Sequence, residues 1–318
     1  MLSNPKIKKV FVISVSIIMI TVFSFCFSFY GPIAFIKRSW ITSSMTSMNH
    51  KYLATTIYSK KTIDRIMHEN RVEVLNENTD GALINIRYKG NDKIENIEIS
   101  GKNYTGYLLK IYDPSRLRIT APLDLNSRGQ KLEKYVSEHN AAAAINGSGF
   151  ADGSGHSKAG RPVGMLMVDR EIKYSTYGDE YNDIIGITDE GKLILGCFKL
   201  SDLVKSEIRD AINFKPQLII NNKEIKIYGD GGWGIAPRSA IGQTEDGVIL
   251  LLVVDGRQIS SYGATMNDIQ DIMKEHGAVN AACLDGGSST IMMQGDKNVN
   301  YPCTSRTGRY LPNAIIVN

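Results

Sequence analysis

The sequence predicts an α+β fold, a mixed β-sheet flanked by helices, and three observations carry the prediction. Short apolar runs broken by Gly, Asn and Asp fill the chain from Ala82 onward, as strands joined by tight turns do. Two helix-period segments each run directly into an apolar strand that ends in Asn-Gly or Asp-Gly, KLEKYVSEHN–AAAAI–Asn146-Gly147 and MNDIQDIMKEHG–AVNAACL–Asp285-Gly286. Two hairpins repeat as well, IGITDEGKLIL from Ile185 and IGQTEDGVILLLVV from Ile241, each turning on an acidic residue followed by glycine. Together they read as an internal pseudo-repeat. A duplicated helix–strand–turn unit can bring two equivalent strand ends to one cleft, where ligands of α/β sheets bind.

The 318 residues suffice for one large domain or two ordinary ones, and 42% hydrophobic with 22% charged residues excludes a disordered or fibrous chain. The net charge of +4 is concentrated at one end. Lys6, Lys8, Lys9, Lys37 and Arg38 face no acidic residue before position 39, which leaves 32 basic against 33 acidic side chains for the rest. A body so close to neutral has no footprint for a nucleic-acid backbone, so nucleic acid is excluded as a partner.

In chain order, residues 1–9 read as a cytoplasmic tail. Val10 to Ile36 is a run of 27 residues without a formal charge, longer than the roughly 20 that cross a bilayer. It lacks a small-residue cleavage site, so it reads as an uncleaved signal anchor contacting the lipid bilayer, with a cleaved signal peptide as the alternative. Gly31 and Pro32 mark its end, and Phe35 and Trp40 are suited to the interface. Three lysines before the span against two basic residues after it favour a single-pass membrane protein with its C-terminal domain extracytoplasmic. Residues 37–78 read as a stalk with a short helix near Thr62–Glu69, and residues 79–318 as the main domain. ALINIRY (82–88), IENIEI (94–99), YLLKIY (107–112) and LRITAP (117–122) are its first strand candidates. Outside the span, Cys197, Cys283 and Cys303 fit either one disulfide and a free thiol or three inert thiols, the latter favoured.

Four segments dense in Gly and short polar residues adjoin these strands: Asn146–Phe150, Gly229–Gly234 around Trp233, Pro237–Gly242 around Arg238, and Leu284–Thr290. Asp255-Gly256-Arg257 closes the apolar strand VILLLVV. Successive glycines let backbone amides approach an anion, and Arg238 or Arg257 could grip a phosphate in bidentate fashion. Asp255 and Asp285, at strand ends, are candidates for acid, base or nucleophile, and Trp233 between glycines for a sugar platform. Each segment alone has an ordinary structural explanation: Asn-Gly and Asp-Gly are among the strongest turn signals, Gly-Trp-Gly can be a turn with its indole in the core, and a loop histidine such as His156 is usually solvated. Zinc-protease, P-loop and α/β-hydrolase motifs are missing.

Taken in order, NGSGF, GDGGWGIAPRSAIG, VVDGRQ, NAACLDGGSST and RYLPNAIIV resemble the phosphodiester glycosidase family, over about three quarters of the chain from Leu83. The anchor followed by YLATTIYSKKTI resembles its membrane-anchored, exopolysaccharide-related bacterial branch, from which Cys283 departs by replacing a polar residue. The resemblance implies hydrolysis between a sugar anomeric carbon and a phosphodiester oxygen, in a glycan or cell-envelope polymer of teichoic-acid or exopolysaccharide type. It carries catalytic roles to Asp285, Asp255 and Arg238, and substrate binding to Asn146, Gly147, Arg257, Gly286, Gly287, Ser288 and Ser289, with Trp233 added from its glycine setting. Within that set, Arg238 and the Gly286–Ser289 nest would hold the phosphate, Asp285 would act at the anomeric centre, Asp255 would assist or orient an arginine, and Asn146 would bond the substrate. No cofactor is required; calcium is admitted, without EF-hand spacing. Two alternatives stay open, a tethered module that binds anionic glycopolymer and a phosphodiesterase attacking phosphorus.

Overall fold

The computed structural model describes residues 5–31, 34–47, 50–74, 77–125, 127–150, 159–176 and 178–318. His156 lies outside the described residues. The chain divides into two compact units, Met1–Asn70 and Arg71–Asn318.

The smaller unit is helical. Helix α1 (Pro5–Tyr30) contains a 23-residue stretch, Lys8–Tyr30, with mean hydropathy 2.6 and no part of it buried. It stops at Gly31, where a β-carbon would lie 2.2 Å from the Phe27 carbonyl oxygen. The chain then re-enters helix as α2 (Ala34–Thr46), so the Ser/Thr-rich segment expected as linker is ordered. It packs with α3 (Tyr52–Thr55) and α4 (Lys60–Glu69) around Ile41, Ala54, Tyr58, Ile63 and Ile66. Ser59 caps α4 by accepting from the Thr62 amide. Phe35 is exposed, whereas Trp40 is drawn inward, edge-on to Phe29 at 4.8 Å with its indole N–H on the Leu53 carbonyl.

The larger unit is α+β, built from three sheets among the described residues. Every ladder in them is antiparallel, where a mixed sheet is the expectation from sequence. The two helix–strand repeats explain the difference: Ala143–Asn146 and Ala278–Leu284 enter different sheets, so neither helix serves as a crossover to a parallel neighbour. The first sheet has seven strands in the order Ile94–Ser100, Thr105–Ile111, Ile249–Val254, Arg238–Thr244, Ala278–Leu284, Gln217–Ile220 and Lys223–Glu224. A second orders Lys297–Asn298, Met292–Gln294, Ala143–Asn146, Ala314–Val317 and Leu117–Thr120. The third orders Glu171–Ser175, Met165–Val168, Ile208–Asn213, Asn182–Thr188 and Leu193–Phe198.

One face of each sheet meets in a shared core, with Leu251 and Ile241 from the first, Ile145 and Ile315 from the second, and Leu166 and Ile185 from the third. Strand alternation sends Leu250, Leu252 and Val254 to the other face of the first sheet, under helix α7 (Met266–Glu275). Thr265 and Asp268 start that helix with reciprocal side-chain-to-backbone hydrogen bonds. Helix α5 (Leu132–His139) covers the second sheet and is closed by Asn140 in the left-handed conformation, and α6 (Leu200–Leu203) packs on the third.

Both hairpins form as read, turning at Gly191 (φ +85°) and Gly247 (φ +91°). ALINIRY is not a strand. Its Ile84, Ile86 and Tyr88 point inward, but the Leu83 and Ile84 amides bond locally to Asp80 and Gly81, and those of Asn85 and Arg87 to the Glu245 and Asp246 carbonyls of a turn, which offers no ladder. Residues before 79 already belong to this unit: Arg71 and Tyr228 exchange both backbone hydrogen bonds, and the Thr79 amide donates to Leu195. All four cysteines are free thiols.

Candidate active site

The two repeated strand ends meet. The Asp285 amide donates to the Gly147 carbonyl (3.0 Å), and Asn146 Nδ2 donates to the Asp285 carbonyl (2.6 Å). Asn146 is fully buried, and its Oδ1 accepts from Ser239 Oγ (2.7 Å) and the Ile291 amide (3.2 Å). Its amide is thereby engaged by protein and latches Asp285 in place. Gly147 is explained by a close approach, since a β-carbon there would lie 2.1 Å from Asn313 Oδ1. Asn313 in turn exchanges hydrogen bonds with Ser148, accepting from its amide and donating to its Oγ, both at 2.8 Å.

Held by these bonds, the half-buried Asp285 is crowded by protein. Burial pushes its carboxyl pKa up to about 6, against the stabilising influence of Ser289, Arg309 and the Gly286 amide. Gly149 stands in front of the carboxylate: a β-carbon there would lie 3.8 Å from Asp285 Oδ1 and 3.4 Å from the Phe214 ring, ordinary contact distances. Phe214 also packs against Trp233, ring centres 6.5 Å apart. Half-buried Trp233 therefore borders the site through Phe214, and its carbonyl serves Arg238.

Arg238 has a structural task. It is buried, with Nε on the Ala264 carbonyl (3.1 Å) and Nη2 on those of Trp233 (2.8 Å) and Gly234 (2.7 Å). Burial lowers its pKa to about 10, which still leaves it a cation at neutral pH. Its fork ties the glycine-rich loop to the strand. The Gly286–Ser289 nest is likewise largely closed: the Gly287 amide donates to Pro237 O, Ser289 to Gly286 O and Thr290 to Gly287 O. Gly286 is needed for contact rather than for an anion, because a β-carbon would lie 2.8 Å from the Pro237 oxygen.

Asp255 is buried and does not orient an arginine. Its carboxylate accepts from Asn300 Nδ2 (2.9 Å) and the Tyr301 amide (3.1 Å), fixing the loop beside the site, and burial raises its pKa. Arg257 is the cation left available. It adopts φ +58°, is exposed, makes no side-chain hydrogen bond or ion pair among the described residues, and lays its guanidinium 3.3 Å from where a β-carbon of Gly287 would sit. A second cation, Arg309, escapes the sequence reading as a site residue although RYLPNAIIV contains it. It donates to Ser288 Oγ (2.7 Å) and lies over the Phe150 ring at 4.3 Å. Phe214 and Gly149 are also missed; neither residue type signals chemistry by itself. Cys283, under the loop, is buried against Met266 with its thiol pushed up to about 12, hence inert. Among the described residues no three His, Cys, Asp or Glu side chains converge as a metal-binding group.

Comparison with known proteins matches this arrangement. Residues 139–318 fit the family model for phosphodiester glycosidase. Mouse N-acetylglucosamine-1-phosphodiester alpha-N-acetylglucosaminidase is 24% identical over 226 residues, 64% of this chain and 42% of that protein. A prophage-derived protein of Bacillus subtilis (strain 168), YomE, is 41% identical over 64 residues, 20% of this chain and 10% of that one. The chain thus spans less than half the length of these curated relatives. In fold, the zebrafish N-acetylglucosamine-1-phosphodiester alpha-N-acetylglucosaminidase catalytic domain, auto-inhibited by its pro-peptide, superposes with TM-score 0.62 at 18% identity, over 77% of this chain and 88% of that one. A Synechocystis protein superposes with TM-score 0.50 at 17% identity, over 71% and 61%. Because the family model extends over more than half of its length, through the Asn146, Arg238, Asp255 and Asp285 segments alike, this chain belongs to the phosphodiester glycosidase family.

Proposed function

We propose that this chain is a membrane-anchored hydrolase that cuts the bond between a sugar anomeric carbon and a phosphodiester oxygen, in a cell-envelope polymer of teichoic-acid or exopolysaccharide type. The observation that carries the proposal is Asp285, a carboxylate of raised pKa whose backbone is latched to Asn146 and Gly147, which faces a glycine and has two arginines nearby. At neutral pH it is mostly ionised, and it takes a proton from a water molecule as that water attacks the anomeric carbon. The carbon–oxygen bond breaks, its electron pair leaves on the phosphate oxygen, and the products are a free sugar, a phosphate monoester and a proton held by Asp285. Arg257 and Arg309 neutralise the charge gathering on the leaving phosphate, which is a weak base and needs no strong acid. Direct attack by Asp285 on the anomeric carbon uses the same geometry and inserts a covalent intermediate.

Helix α1, with Lys6, Lys8 and Lys9 in its first turns, an apolar remainder and no acidic residue, supports anchorage with the larger unit extracytoplasmic. The test is turnover of an N-acetylglucosamine-1-phosphodiester by the full-length protein in detergent and oxygen-18 water. Label in the released sugar is the expected result. Label in the phosphate means attack at phosphorus, and no turnover over a panel of sugar phosphodiesters overturns the enzymatic reading in favour of a binding module.

A further inference from the structure

Arg309 points to Ser288, but its neighbour Tyr310 turns to the other side of the chain, where it lines a hollow of about 850 Å³. The hollow is basic. Arg128 stacks on the Tyr310 ring with its guanidinium carbon 3.6 Å from the centroid, and the Lys131 ammonium lies 5.0 Å from the same centroid. Lys134 is also at the wall, paired to Glu138 at 3.4 Å, and Asp124 is the remaining acidic residue there. Neither Arg128 nor Lys131 has a carboxylate partner among the described residues. Two like charges converging on one ring repel each other, and burial followed by Arg128 lowers the Lys131 pKa, the signature of a cation without a counter-ion. The wall is firm: Gln130 and Leu311 exchange both backbone hydrogen bonds, and Lys131 donates to the Gly308 carbonyl. Nothing in the chemistry around Asp285 uses these groups.

We propose that this hollow is a second anion site, holding a phosphate group across the Arg309–Leu311 segment from Asp285. Resting on the function proposed above, that phosphate is the next phosphodiester of a polymeric substrate, so the enzyme grips a chain of repeats instead of a single capped sugar. Arg128 supplies a flat two-pronged donor held by the ring, and Lys131 a point charge beside it. A free phosphate ion has the same chemistry and is the other source to separate.

The experiment measures equilibrium binding to the full-length protein carrying Asp285→Asn, so that turnover is not required. The probes are a tetramer of N-acetylglucosamine-1-phosphate repeats, the single-repeat methyl diester, and inorganic phosphate. The tetramer is expected to bind about tenfold more tightly than the single repeat, an advantage that Arg128→Gln with Lys131→Gln abolishes while single-repeat affinity holds. Arg128→Gln alone, on an exposed side chain, is expected to remove part of it and guards against misfolding of the double variant. Inorganic phosphate binding that the double variant loses, without a tetramer advantage, keeps the anion site and overturns the polymer as its source. Equal binding of tetramer and phosphate by both proteins overturns the site itself. If instead the wild-type chain hydrolyses none of the diesters while this binding pattern holds, the enzymatic reading fails and the anion site stands.

Discussion

Replacing Asp285 by Asn should abolish turnover and make the protein more stable at neutral pH. The carboxyl binds its proton more tightly in the folded chain, where its pKa is about 6, than in the unfolded chain, where the ordinary value of 3.8 applies. Below that unfolded value both states are protonated and the group costs nothing. As pH rises from there through about 6, the unfolded chain ionises first, so stability is lost over that window and the loss is complete above it. At about 1.4 kcal/mol per unit, the full shift corresponds to roughly 3 kcal/mol. Partial exposure of the side chain and the weaker hydrogen bonds of an amide to Ser289 and Arg309 reduce that to about 1–2 kcal/mol. For a unit of this size the gain appears as roughly 3–6 °C in Tm. The assay is calorimetry of the full-length protein and its Asp285→Asn variant in detergent between pH 4 and pH 8. Curves that coincide at pH 4 and separate up to pH 6–7 are expected. A variant less stable than wild type at pH 8, or a difference independent of pH, would falsify the reasoning that burial raises this carboxyl.

The same ionisation sets the rate. With Asp285 acting ionised, kcat/KM should climb about tenfold per pH unit below pH 6 and level off above it, whereas a fall across that range would mark it as the acid. The two arginines on either side of the loop should separate. Arg238→Lys strands carbonyls of Trp233, Gly234 and Ala264 and should cost about 3 kcal/mol in a thermal melt, while Arg257→Gln should leave Tm unchanged and raise KM by about tenfold. Gly149→Ala fits at ordinary contact distances and should keep the fold; Gly149→Leu fills the space before Asp285 and should lower kcat/KM by about a hundredfold, with Ala between. Asn146→Ala leaves Ser239 Oγ and the Ile291 amide buried without an acceptor, and should lose about 3 kcal/mol together with most of the activity. Activity surviving in Asn146→Ala would mean that Asp285 holds its position without the latch.

Much of the fold was legible because the signals were local. Turn glycines at 191 and 247 need a positive φ, and the heptad-like spacing of α5 and α7 needs one buried face, so a reader of residues alone finds both hairpins and both helices. Even the meeting of Asn146 with Asp285 follows from the repeated construction. ALINIRY failed for a non-local reason: alternation shows which side chains point inward, but a strand also needs a neighbour with free amides and carbonyls, and this segment lies beside a turn. Parallel pairing was expected for the same kind of reason, since a helix between two strands does not reveal whether they share a sheet.

The site roles were harder to read than the fold, and the reason is physical. The family resemblance carries Asn146 to substrate binding and Arg238 and Asp255 to catalytic roles, and in the structure each also satisfies backbone or neighbouring side-chain groups and is at most 5% exposed. A buried polar side chain must find partners on folding, and at the junction of two sheets the nearest partners are strand ends and loop carbonyls that no strand ladder uses. Residues that build such a junction therefore look, in sequence, like residues that bind a ligand. The groups best placed to meet a substrate are Arg257, whose exposed side chain springs from a left-handed backbone, and Asp285, whose amide and carbonyl are bound while its carboxylate stands opposite Gly149. The distinction makes the latch and the carboxylate separable by experiment, because loss of Asn146 should cost both stability and rate, whereas loss of the Asp285 charge should cost rate and return stability.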